Sequence, residues 1–234
     1  AIGALGKRHN IAPLILKRLT DFLDDSNPNI RFQAASALLT LGQTSEKIVG
    51  ILCEQLLNGT VDNRLHACEL LRIENISSDQ SVSTLLQALE DQDMRVQVQS
   101  AYALAELDCK SEALINKLIQ LLRSKDFKSL EKAIQALGIL GNAAKAVSKE
   151  LLYFLNAELP DFEENEVEDI RYETRETLIK IGDTSDEIIH QLFQLFSSED
   201  EDLRRHSLQI LEEFIDKSDV VLGSLVSYIR CDDF

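Results

Sequence analysis

The chain has 234 residues, 44% of them hydrophobic and 27% charged, with a formal net charge of −16. No Trp, three Pro and nine Gly suit a helical protein and disfavour a sheet one. No apolar run approaches the ~20 residues of a membrane span. The acidic balance repels nucleic-acid backbone and anionic lipid, so no nucleic acid and no membrane partner is expected.

Ala1–Gly6 reads as the tail of a helix lacking its beginning, so a piece of a longer protein is expected. A first helix is predicted at Ile11–Leu23. A second follows inside 27–42, where Asn27 is a cap, Pro28 suits the first position and Gly42 ends the last turn. Ile30, Ala34, Ala35, Ala37, Leu38 and Leu41 are placed on its apolar stripe. The same pair of helices then returns. Further first helices are predicted at Glu46–Leu57, Asp79–Leu89, Ser111–Leu122, Ala146–Leu155, Asp186–Phe196 and Lys217–Ile229, each apolar at i, i+3, i+4 and i+7.

The repeat is counted on Leu38, Leu71, Leu104, Leu137, Leu178 and Leu211. Four residues earlier the side chain is always small: Ala34, Ala67, Ser100, Ala133, Thr174 and Ser207. Four residues after the anchor stand Gly6, Gly42, Asn75, Asp108, Gly141, Gly182 and Ile215, mostly types that tolerate a helix end. The cap position reads Asn27, Thr60, Asp93, Asp126, Val167 and Asp200. Short connections force neighbouring helices antiparallel, and stacked pairs bury a continuous core.

The unit resembles the HEAT repeat, in particular the short HEAT-like repeats first noted in phycobilisome lyases. Asp25 to Arg31, Ala34-Ala35, Ala37-Leu38 and Leu41-Gly42 carry the resemblance, as do Ala136 to Gly141 and Ile170-Arg171 with Ile181-Gly182. The expected fold is all-α: an α-α superhelix, a right-handed solenoid of about seven two-helix repeats with the first truncated. It spans 1–234 as a single solenoid, with an acidic loop insertion at 156–169. The signature runs of ankyrin and tetratricopeptide arrays are missing.

The motif arginine recurs as Arg31, Arg64, Arg171 and Arg204, with Gln97 and Leu130 as departures. It lies in the apolar sector and must be paired. Turn acids such as Asp25, Asp93, Asp126 and Asp200 of adjacent units are its natural partners, a structural ladder that the resemblance also implies.

Two partner-binding surfaces are expected. One residue after the arginine, about 140° from the stripe, stand Phe32, Leu65, Val98, Glu131, Tyr172 and Arg205. With Tyr102 one turn beyond Val98, the apolar members either make a track on the concave face for a partner peptide or helix or pack laterally against the neighbouring second helix. The other surface is the insertion, which holds seven acids and no base, with Phe162, Glu163, Glu164 and Glu166 as its contacts. Residues 156–234 carry 22 acids and 7 bases, a net of −15, so a partner with a basic segment is favoured.

Catalysis finds no motif. His9, His66, His190 and His206 lack the His-Glu pairs with which HEAT-like deoxyhypusine hydroxylases bind iron, and no metal or cofactor is expected. A basic groove of the kind HEAT-like DNA glycosylases need is also missing. Cys53, Cys68, Cys109 and Cys231 form no Cys-x-x-Cys pair, which fits a reducing, cytoplasmic (intracellular) setting. The expected function is a non-enzymatic protein-interaction module. The alternatives are a subunit of a bilin-lyase-like complex and the C-terminal sensor array of a nucleotide-switch defence protein.

Overall fold

The computed structural model describes residues 13–156, 159–215 and 221–223, which form only helices, turns and connecting loops. Residues 13–22 are helix α1. Then follow α2 (Pro28–Thr40), α3 (Glu46–Asn58), α4 (Val61–Ile73), α5 (Asp79–Ala88), α6 (Met94–Glu106), α7 (Glu112–Leu121) and α8 (Phe127–Leu140). A 3₁₀ stretch (Gly141–Val147) leads into α9 (Ser148–Asn156), α10 (Glu164–Ile181), α11 (Asp186–Phe196) and α12 (Glu201–Ile215). Ala1–Gly6 and most of the helix predicted at 217–229 lie outside the described residues. There are two compact units, Ala1–Leu107 and Asp108–Phe234.

Each helix announces its own ends. Asn27, Thr60, Asp93 and Asp126 accept hydrogen bonds from backbone N–H groups of the first turns of α2, α4, α6 and α8, as their types require. Ser45, Ser78 and Ser111 do the same for the first helices α3, α5 and α7. At the other end Gly42, Asn75, Asp108, Gly141 and Gly182 all have positive φ, at one and the same repeat position. After α2 the Gly42 N–H bonds to the Leu39 carbonyl and the Gln43 N–H to that of Leu38, which closes the helix on its own carbonyls.

In the first unit α3 packs on α4, α5 on α6 and α4 on α6; in the second α7 packs on α8, α9 on α10, α8 on α10 and α10 on α12. A second helix thus touches its own first helix and its neighbouring second helices, and its buried sector is wide. On α2 that sector holds Phe32, Ala34, Ala35, Leu38 and Leu39, whereas Ile30 and Leu41, expected in the stripe, are exposed. The small slot is buried in all six copies. α8 and α10 approach closely at Gly138, where a Cβ would stand 2.9 Å from Thr177 Oγ1. That hydroxyl donates to the Ile134 carbonyl at 3.0 Å.

The acidic insertion differs from the loop expected at 156–169. Glu163, not Val167, is the N-cap of α10, so this 18-residue helix begins four residues earlier than expected. The Glu166 carboxylate accepts the Glu163 N–H at 3.0 Å. Acids at a helix start satisfy orphan N–H groups and oppose the positive end of the dipole, so this composition lengthens the helix.

Candidate partner-binding site

The arginine column binds chiefly to the turn before its own helix. Arg31 Nη1 donates to the Asp25 carbonyl at 3.0 Å and Arg64 Nη1 to that of Gly59 at 3.0 Å. Arg204 Nη1 donates to the Ser198 and Glu199 carbonyls at 2.8 and 2.7 Å, and Gln97 Nε2 to that of Asp91 at 2.5 Å. The acceptors lie five or six residues before the donor. The same side chains reach one unit onward: Arg31 pairs with Glu54 of α3 at 2.7 Å, and Arg64 with Asp91 at 2.8 Å.

Asp25, Asp93, Asp126 and Asp200 are therefore not the ion-pair partners expected of them. Each accepts backbone N–H groups of its own turn or helix start, which are nearer and need a cap. Arg171 is not a rung either. The residues five and six before it are already helical, and its Nε is enclosed without a hydrogen-bond partner.

The track does not survive as drawn. Phe32 is 0% and Val98 5% exposed, Leu65 and Tyr102 are half-buried, and Tyr172 alone is open, at 50%. Phe32 meets the edge of His66 on α4, with ring centroids 5.4 Å apart. Lateral packing between second helices, which a single-helix projection does not show, covers the slot. Tyr102 and Tyr172 are gripped as well: the Arg72 guanidinium lies 5.8 Å from the first ring and that of Arg175 4.7 Å from the second.

In the second unit the insertion borders a pocket of about 370 Å³. Leu122, Leu130 and Phe154 make its floor. Tyr153, Leu159, Phe162 and Glu150 rise around it, and Arg123, Lys125 and Asp161 stand at the rim. Lys125 Nζ is 3.1 Å from Asp161 Oδ2. Of the expected insertion contacts, Phe162 lines this pocket, while Glu163 and Glu164 are exposed and Glu166 caps the helix.

Apart from this lining, α8 and α10 carry an acidic face that the sequence reading missed. Burial, then Glu173, then Asp169 push the Glu131 carboxyl above its ordinary range, against the pull of Lys132 and Lys128. Pairing position 131 with 169 and 173 across the lengthened connection would have revealed it.

His206, on α12, is 2% exposed, and neither ring nitrogen has a hydrogen bond. Its Nε2 stands 3.4 Å from Glu168 Oε1. Burial lowers its pKa, Arg175 and Arg205 lower it further, and Glu168 opposes them. The neutral ring is thus the folded form. The stability tied to it is complete above the unfolded value of about 6.5 and is lost as pH falls below that. Acidification through that window is expected to lower the melting temperature, and less so in His206→Leu. Equal slopes for the two proteins would show that this ring does not titrate against the fold.

Among the described residues, no group of three or more His, Cys, Asp or Glu side chains is placed to hold a metal ion. None of their helices is long and apolar enough to cross a membrane.

The family described as HEAT repeats matches residues 49–138 and 84–158. No curated protein sequence matches the chain. Among solved structures, an engineered protein is 18% identical, with a TM-score of 0.55, over 86% of this chain and 96% of its own. The complex of CpcE and CpcF of phycocyanin lyase from Nostoc sp. PCC7120 is 20% identical, with a TM-score of 0.52, over 84% and 75%. A Kap121p mutant is 20% identical, with a TM-score of 0.59, over 90% of this chain and 24% of its own. Residues 49–158 thus match HEAT repeats, and the small buried slot and the capped helices recur on either side of that stretch.

Proposed function

We propose that the chain is a non-enzymatic protein-interaction module that grips a basic segment of its partner. The acidic face of α8 and α10 carries this reading. Burial, then Glu173 and Asp169, hold the Glu131 carboxyl above its ordinary range against the pull of Lys132 and Lys128. An incoming Lys or Arg side chain relieves the repulsion among these acids, and the chain's net charge of −16 adds long-range attraction.

The test is a titration of the full chain with a labelled Lys/Arg-rich peptide, beside an acidic peptide of equal length. Glu131→Lys with Glu173→Lys is expected to weaken the basic peptide about tenfold, at ~0.5–1 kcal/mol per reversed surface charge. Equal binding of both peptides, or an unchanged affinity in the double variant, would remove the acidic face from consideration.

A second reading, a subunit of a bilin-lyase-like complex, draws on one observation: Tyr153 shares a pocket with Glu150 and Asp161. Absorbance of a bilin mixed with the chain tests it. An unchanged spectrum counts against it.

A further inference from the structure

Leu130 stands where the repeat has its arginine, and it lines a pocket. The first unit has the corresponding groove, lined by Asn58, Gly59, Arg64, Gln87 and Ala88. Residues 66 positions on, Ser124, Lys125, Leu130, Tyr153 and Phe154, line the second-unit pocket. In the first groove, of about 450 Å³, the Arg64 guanidinium is bound to the Gly59 carbonyl and to Asp91. In the second, Leu130 brings no donor to the corresponding turn. Gln87 and Ala88 are there replaced by two aromatic rings, packed edge to face at 5.6 Å.

We propose that this pocket receives an arginine side chain of the partner, which completes the column from outside. The positions five and six before Leu130, whose carbonyls take the guanidinium in the sibling units, are Lys125 and Ser124, and both line the pocket. Tyr153, Phe154 and Phe162 line the pocket with aromatic rings, against which a planar guanidinium packs better than an ammonium. Glu150 supplies a carboxylate. Asp161 supplies another, already bound to Lys125. Arg123 on the rim opposes the ligand. The proposal rests on the basic-partner reading and adds the side chain and its place, on a surface separate from the acidic face.

The experiment titrates the full chain with three peptides that share one neutral sequence and differ in a central Arg, Lys or Leu. Binding is followed by NMR at the Leu130 methyls and the Phe162 ring. The Arg peptide is expected to bind about tenfold more tightly than the Lys peptide, the ratio one lost charge-assisted hydrogen bond gives. Arg123→Gln tightens it. Leu130→Arg fills the slot from within, raises the melting temperature and erases the Arg preference. Should that variant not fold, Glu150→Gln, at an exposed position, is the measure and weakens the Arg peptide alone.

Equal binding of Arg and Lys, or Leu binding as well as Arg, overturns the guanidinium assignment. Shifts confined to the face of Glu131 and Glu173 overturn the pocket and leave the basic-partner reading standing. No binding of any basic peptide, rich or single, overturns both.

Discussion

Phe32→Ala lowers the unfolding free energy by about 3–5 kcal/mol, the usual cost of emptying a buried aromatic site. The ring is fully enclosed and in edge contact with His66, so its removal loses both apolar burial and a cavity's worth of contacts. A urea melt reads this as a lower midpoint at constant slope. A loss within the ~0.5 kcal/mol usual for surface positions would return Phe32 to the exposed track. The same measurement separates core from docking surface for Val98.

Asp91→Ala comes next, at about 1–3 kcal/mol. Its carboxylate accepts the Asp93 N–H at 2.8 Å and the Arg64 Nη2 at 2.9 Å, and it stands 2.8 Å from Arg64 Nε. The pair is only 16% and 11% exposed, so the change strands a largely buried guanidinium. Asp93→Ala, by contrast, loses a cap and an exposed ion pair with Arg95, at about 1 kcal/mol. Equal melts for the two variants would mean that the ladder adds nothing beyond its turns.

What the sequence made legible is whatever one helix decides for itself. The small slot from Ala34 to Ser207, the left-handed slot from Gly42 to Gly182, and caps such as Asn27 and Asp126 need only local geometry. All of them stand in the structure where the period of the chain put them. Phe32 and Val98 were misplaced because their burial depends on a neighbouring second helix, whose angle no single-helix projection contains. Asp93 and Asp126 were assigned to arginines because charge was weighed before proximity, and an unpaired N–H one turn away is closer than a guanidinium one unit away. Arg171 was counted as a rung because its column matched, while the insertion had turned the preceding loop into helix.

The site was half legible. Leu130 was visible as a departure from the arginine column. That Leu130 lines a pocket follows only once Tyr153, Phe154 and Phe162 are seen around it. The acidic character of the second half was plain, and its concentration where Glu131 meets Asp169 and Glu173 needed α8 and α10 packed together.

The most direct measurement is the affinity of the unmodified chain for a Lys/Arg-rich peptide as salt is raised. Basic-segment binding predicts a tight complex at low ionic strength, with log affinity falling steadily as log salt rises, since exposed charges are screened within about 8–10 Å. An affinity that is independent of salt, or no better than that of an acidic peptide, would contradict it.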